Sequence, residues 1–323
     1  MSDAQECRVT IGLPVYNGAR YLQNAIDSIR AQTFEGWQLI IADNASTDET
    51  LTIARNAASE DERIHVLGSD QNLGAAWNYN RLVDSCDTEF FRWHAHDDIL
   101  APEYLERCLA ELDQHPDAIL AYPKTLIIDE NSDVIGPHAD NYHLTHSRPS
   151  QRLRYHLLSA QFECNAVFGI YRTDILKQTV KIGSYPASDF VLLGQTALMG
   201  RVREIPSELF CRRDHAETSI RANPKLSDLQ SWFGPRERRK AQSRPAWIKL
   251  NRHLGLVWKM DFSMAEKLRC SLEILRWAKW FWRDLAGDYV PALNSDGRKR
   301  VLQGSVPITQ ASSISSPESA ASS

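Results

Sequence analysis

The chain contains no C-x-x-C pair, no G-x-G-x-x-G loop and no apolar run that approaches the roughly 18 residues of a membrane span. The first absence argues against a zinc ribbon or a dithiol redox centre, because Cys7, Cys86, Cys108, Cys164, Cys211 and Cys270 are scattered singly, as in a reduced cytosolic protein. The second argues against a dinucleotide oxidoreductase, whose pyrophosphate loop needs those glycines. The opening residues, MSDAQECRVTIG, carry acids where a secretory leader needs Lys or Arg, and no apolar stretch follows. A cytoplasmic protein is expected, with any membrane contact peripheral.

What is present is ordinary in bulk and uneven in distribution. The 323 residues are 43% hydrophobic and 24% charged, a globular composition. The net charge of −4 conceals an acidic body, −12 over residues 1–231, and a basic segment, +9 over residues 232–283. That segment holds Trp232, Trp247, Trp258, Trp277, Trp280 and Trp282. Basic side chains beside Trp at helical spacing can dock an anionic membrane; the plainer reading is a helical appendage packed on the body with a solvated basic face. A nucleic-acid role is disfavoured, since the acidic body would repel a phosphate backbone.

Apolar runs alternate with amphipathic stretches through the first 120 residues. Val9–Leu13, Trp37–Asp43, Ile64–Leu67 and Glu89–His94 read as strands, with helices over Ala19–Gln32, from Ser46 to about Ser59, over Gly74–Ser85 and from Pro102 to His115. Ser46-Thr47-Asp48-Glu49 has the S-x-x-E form of a capping box. This alternation predicts an α/β fold with a mostly parallel sheet covered on both faces. Beyond it, Ile119–Pro123, Thr125–Asp129, Ala166–Tyr171, Val202–Ile205 and Leu209–Arg213 read as strands. Glu130-Asn131-Ser132-Asp133 reads as a hairpin turn into Val134-Ile135, Ser188–Met199 as a helix, and Pro245–Leu285 as helices. Met264, Leu268, Leu272, Leu275, Ala278 and Leu285 share one face of the last. Residues 303–323 are Ser/Ala-rich and expected to be disordered.

Two strand ends carry the chemistry. Leu39-Ile40-Ile41 runs into Asp43, followed by small polar residues and a helix start, and the strand at 89–94 is followed by Asp97-Asp98. Carboxylates at the C-terminal ends of strands are how open α/β sheets build nucleotide sites.

The combination of LPVYNG (residues 13–18), strand–Asp43-Asn44-x-Ser46-x-Asp48 and strand–Asp97-Asp98 resembles a family 2 glycosyltransferase over about Val9 to Ser219. The segments GSYPASDFVLLGQTALMG and FCRRDHAETS resemble the family's acceptor-side helix and closing strand. The resemblance implies a GT-A fold: a glycosyltransferase domain over 1–222, a basic Trp-rich helical appendage over 223–290 and a disordered tail over 291–323. It implies that Pro14, Val15 and Tyr16 line a base and ribose pocket, and that Asp43, with Asn44 nearby, accepts a hydrogen bond from the base. Asp98 would contact a divalent metal, Mn²⁺ or Mg²⁺, and Asp97 the ribose or the same metal. A nucleoside diphosphate leaves readily only when its growing charge is neutralised, which a hard cation does.

Further along, Asp189 stands where the family places the base that deprotonates the acceptor hydroxyl in an inverting transfer. Arg212, Arg213 and His215 resemble an R-x-H closing motif that contacts the diphosphate or a lid, with Ser219 after it. Departures from the pattern are Ala95 or His96 where many relatives carry the first acid, and Ser188 before Asp189 where many carry Glu. His94 and His96 are further candidate ligands. Asp97-Asp98 and Asp189 could instead be helix-start acids. Glu273-Ile274-Leu275-Arg276-Trp277 resembles the Q-x-x-R-W of processive synthases, but Glu replaces Gln and no membrane spans accompany it, so a non-processive enzyme is expected. Its acceptor would be a glycan or a lipid-linked sugar. The alternatives are a silent nucleotide-sugar-binding or assembly protein and a sugar nucleotidyltransferase, the latter disfavoured by a first loop, PVYNGAR, with a single glycine.

Overall fold

A computed structural model describes residues 6–159, 165–216, 218, 232–234 and 244–290. In chain order it contains β1 (Val9–Val15), α1 (Ala19–Arg30), β2 (Trp37–Asp43), α2 (Thr50–Glu60), β3 (Ile64–Leu67), α3 (Ala75–Asp84), β4 (Phe90–Trp93), β5 (Ile99–Leu100) and α4 (Tyr104–Gln114). Then follow β6 (Ala118–Ile128), β7 (Val134–Pro137), α5 (Pro149–Ser159), a 3₁₀ turn (Asn165–Phe168), β8 (Ile170–Arg172), α6 (Thr173–Lys177), α7 (Ser188–Met199) and β9 (Arg201–Arg213). Three helices close the described chain: α8 (Pro245–Lys259), α9 (Met264–Trp280) and α10 (Trp282–Gly287).

The strands form one sheet in the order β3-β2-β1-β4-β8-β6-β9-β5, with β7 on β6. The first four run parallel, β8 is inserted antiparallel, and β6 and β9 pair in parallel over nearly their whole length. Both faces are buried, as the alternation demands. Ile11, Leu13, Leu39 and Ile41 pack with Leu22, Ile26 and Leu105 on one side. Phe91, Trp93, Leu120 and Tyr122 pack on the other with Leu82, Leu153 and Leu193. Leu250, Val257, Cys270, Ile274 and Trp277, from α8 and α9, join this second cluster, so these helices share a core with α5 and α7. Among the described residues no helix is long and apolar enough to cross a membrane.

Several local expectations are corrected. The breaks expected inside β6 and β9 are irregularities within continuous strands: Pro206 has no N–H to donate, and the ladder passes from Ile205 to Glu208. The strand expected over Ala166–Tyr171 begins only at Ile170, because the Phe168 carbonyl turns out of the ladder to accept Arg92 Nη2 at 3.0 Å and Tyr104 Oη at 2.7 Å. The capping box does not form. Ala45 takes φ 63°, Ser46 Oγ accepts the Asn17 N–H at 2.9 Å, and α2 starts at Thr50. Helix α5 was not expected, since its buried face carries Arg152 and His156 beside Leu153 and Leu157 and so hides its apolar period. Arg152 donates to the Ala197 and Leu198 carbonyls at the end of α7, where a cation is favoured.

Candidate active site

The parallel register puts the carboxyl ends of β1, β2 and β4 along one edge: Val15 pairs with Asp43, and the His94 N–H bonds Gly12 O at 2.9 Å. The loops after these strands are tied together. Asn17, at φ 53°, accepts the Thr47 N–H through its side chain at 2.8 Å; the Gly18 N–H donates to Thr50 Oγ1 at 2.8 Å and the Ala19 N–H to Asp48 at 3.1 Å. Hydrogen bonding to Thr50 and Ala19 overcomes burial and holds the Asp48 carboxyl below its ordinary value. Gly18 is required by close approach, since a Cβ there would overlap His96 Cδ2. Pro14 and Val15 are the buried last residues of β1 rather than part of a turn, so of the three pocket candidates only Tyr16 is exposed.

Asp43 is buried at the tip of β2. Its Oδ2 accepts the Ser46 N–H at 3.2 Å, while Oδ1 has no hydrogen-bond partner among the described residues. A buried carboxylate oxygen without a donor is costly unless a ligand supplies one. Arg81 fastens the neighbouring backbone, donating to the carbonyls of Asp43, Leu67 and Gly68 at 2.9, 2.9 and 3.0 Å. Asn44 is buried with its amide committed: it donates to Asn72 Oδ1 at 2.9 Å and accepts the Leu73 N–H at 3.1 Å. It thus holds the loop before α3.

The two adjacent acids differ sharply in setting. Asp98 is buried and accepts the Arg213 N–H at 2.9 Å, which ties it to β9. Burial and the neighbouring Asp97 charge push its carboxyl well above the usual range. Asp97 is more open, and its Oδ2 meets His215 Nε2 at 2.9 Å. Burial alone would raise Asp97, but His96 and His215 hold it below its ordinary value. Arg213 donates from Nε to Asp97 O and from Nη1 to Asp129 O, both at 2.8 Å, and its guanidinium lies 4.6 Å from the Tyr21 ring centroid. Arg213 and His215 therefore hold the acid loop directly. Arg212 instead reaches Asn165 Oδ1 at 3.1 Å, and Ser219 lies outside the described residues. His94 is wholly buried, and burial together with Arg92 keeps its ring neutral.

Asp189 occupies the first turn of α7, after Ala187 in the left-handed region at φ 61°, and its Oδ1 accepts the Phe190 N–H at 2.9 Å. Burial, and then the charges of Asp97, Asp98 and Asp189, raise the phenol of Tyr79 on α3. Sequence reasoning missed Tyr79 and Arg81, because a helical Tyr or Arg carries no motif; only the packing of α3 beneath the loops singles them out. A Mg²⁺-like cation needs few protein carboxylates when diphosphate oxygens complete its shell. Asp97, the more open of two adjacent carboxylates, fits that mode, and no group of three His, Cys, Asp or Glu forms an all-protein cage among the described residues.

Known proteins resemble the chain in sequence or in fold. The family described as glycosyl transferase family 2 matches residues 10–178. An uncharacterized glycosyltransferase of Rickettsia typhi is 34% identical over 127 residues, 38% of this chain and 38% of that relative. A Bacillus subtilis protein named for teichuronic acid biosynthesis, TuaG, is 32% identical over 101 residues, 31% of this chain and 40% of its own length. The chain thus spans well under half of these curated relatives. Among solved structures, Staphylococcus aureus TarS 1–349 in complex with UDP-GlcNAc superposes with a TM-score of 0.63 at 16% identity, covering 91% of this chain and 84% of that one. The mannosyltransferase PcManGT of Pyrobaculum calidifontis, in complex with GDP-Man and Mn²⁺, gives 0.50 at 15% identity, covering 92% and 84%. The fold is the GT-A type of such enzymes.

Proposed function

Because the chain belongs to glycosyl transferase family 2, we propose that it moves one sugar per encounter from a nucleoside-diphosphate sugar to an acceptor hydroxyl, with inversion. The observation that carries this reading is the buried Oδ1 of Asp43, without a partner among the described residues, on the same sheet edge as Asp97 and Asp98. In this scheme Asp43 accepts an N–H from the base, beside the exposed ring of Tyr16. Arg81 and Asn44 keep the surrounding backbone in place. Asp97, oriented by His215 and backed by Asp98 and Arg213, would hold a divalent cation, in place of the Asp98 contact that the resemblance implies. Mn²⁺ or Mg²⁺ bound there would supply charge neutralisation for the leaving group.

Asp189 takes the proton of the acceptor hydroxyl as its oxygen bonds the anomeric carbon and the bond from that carbon to the diphosphate oxygen breaks. Tyr79, packed on Trp93 and within the field of the three acids, would line the floor between donor and acceptor. Solved structures carrying UDP-GlcNAc and GDP-Man support a nucleotide-sugar donor, and a relative named for teichuronic acid biosynthesis supports a glycan acceptor.

The test is calorimetric titration with UDP, GDP and dTDP, each with and without Mn²⁺, on wild type and Asp43→Ala. Binding of one nucleotide, strengthened by Mn²⁺ and lost in the variant, is expected. If none binds, the donor site is refuted; if one binds but no sugar is transferred to any acceptor, the chain is a nucleotide-sugar-binding protein instead.

A further inference from the structure

Helix α9 presents an apolar row to the outside. Met264, Leu268, Leu272 and Leu275 are 58, 58, 48 and 57% exposed, and steps of four, four and three residues place them along one side of the helix. The helix does not need this row to pack, because Cys270, Ile274 and Trp277 fill the core from its other side. Along α9 itself the exposed charges have one sign, with the exposed acid Asp261 standing just before its start. Arg269, Arg276 and Lys279 are exposed on α9, Arg283 is exposed just beyond it, and no acid is among the exposed residues of α9. Its two glutamates are partly buried and pair with Arg269 and Arg276 at 3.0 and 2.6 Å. Trp280 and Trp282 stand half-exposed at its end, and Trp258 at the end of α8.

We propose that this face of α9 docks on an anionic bilayer surface. A row of long apolar side chains flanked by Arg and Lys, with indoles at one end, is the make-up of a helix lying in the interfacial plane. Apolar side chains enter the acyl boundary, the cations meet lipid phosphates, and the indoles sit at headgroup depth. Charge also chooses between occupants. A second copy docked through the same row would bring two helices of net charge +2 together, Lys267, Arg269, Arg276 and Lys279 less Glu266 and Glu273, and like charges across an interface oppose association. A negatively charged lipid surface relieves that repulsion. The proposal is independent of the donor site, since it uses neither a nucleotide nor Asp189.

The test is flotation of the full chain with phosphatidylcholine vesicles, and with vesicles in which about one-third of the lipid is phosphatidylglycerol. The expected result is binding to the anionic vesicles only, weakened by salt, with a blue shift of Trp fluorescence. Leu268→Ser with Leu272→Ser should lower partitioning by more than about tenfold, and Arg276→Gln with Lys279→Gln by roughly fivefold per charge. All four positions are solvent-facing, and circular dichroism would show each variant folded. Failure of the wild type to float with anionic vesicles overturns the proposal, as does equal flotation of the leucine variant. A concentration-dependent dimer in sedimentation velocity, abolished by the leucine variant, would overturn it in favour of a second copy.

Discussion

Two buried polar clusters, one at the strand ends and one against α7, are built differently. At the strand ends, Asp43 Oδ1, Arg213 Nη2 and both ring nitrogens of His94 are buried with no hydrogen-bond partner among the described residues. Where α5, α7 and α8 meet, the buried histidines find partners, although Trp277 Nε1, packed on Phe190 there, has none among the described residues. His253 Nδ1 is 2.7 Å from Lys249 O, which can only accept, so this nitrogen carries the proton. His253 Nε2 lies 3.3 Å from His156 Nε2, and His156 Nδ1 lies 2.8 Å from Tyr142 Oη, which also donates to the Leu193 carbonyl at 3.1 Å. A joint that only has to hold helices together closes its hydrogen bonds internally. A cluster that leaves buried acceptors and donors unmet is poised for a ligand, and pays for that readiness in stability.

Predictions that strain this contrast run from large to small. Asp189→Asn should lower transfer by about 10²–10⁴-fold while nucleotide binding, read by calorimetry, stays within twofold or so of wild type; normal turnover would remove Asp189 as the base. At the joint, Gly194→Ala should cost about 1–3 kcal/mol in urea unfolding, because its Cβ would overlap His253 Nε2 and lie 2.9 Å from His156 Nε2. An unchanged midpoint would mean that α8 is not seated there.

The same joint should make stability depend on pH. Burial holds His253 down at about 4, and burial with the neighbouring His253 holds His156 well below its ordinary value. The charge of Lys249 acts on His253 in the same direction. Both rings are thus neutral when folded but gain protons in the unfolded chain as the pH drops below about 6.5. The unfolded state then binds more protons, and stability falls with pH by about 1 kcal/mol or more at pH 5.5 relative to pH 8. His253→Phe should flatten that dependence in a pH series of unfolding midpoints.

At the strand ends the expected stability effects are smaller. Gly18→Ala should displace His96 and weaken nucleotide binding several-fold, with little change in melting temperature. Asp98→Asn should be the mildest for the nucleotide-free fold. The raised carboxyl of Asp98 favours the protonated form, whose stabilising contribution is lost as pH rises through its folded pKa. An amide that still accepts the Arg213 N–H cannot ionise, so the variant should melt no lower than wild type at pH 7.5. A clear drop would show that the charge itself holds the acid loop.

Much of this was legible along the chain because the signals are local. The strands of the amino-terminal half, the helix at Ser188–Met199 and the hairpin at 130–133 each follow from periodicity and turn residues within a dozen positions. Helix α5 escaped because its inward face carries Arg152 and His156, whose burial depends on partners 45 and 97 residues away. The capping box failed for a related reason: Ser46 was claimed by Asn17, 29 residues earlier, before it could serve its own helix.

By itself the sequence determined the alternation of strand and helix, and with it the delivery of Asp43, Asp97 and Asp98 to strand ends, since these depend on local hydrophobic period and on where each apolar run stops. Only the tertiary structure decided that Asp97 is the open acid and Asp98 the buried one, that Tyr79 lies in the field of three carboxylates, and that the apolar row of α9 faces outward. Burial and hydrogen-bond partnership are properties of segments far apart in the chain brought into contact, and no single stretch of residues contains them.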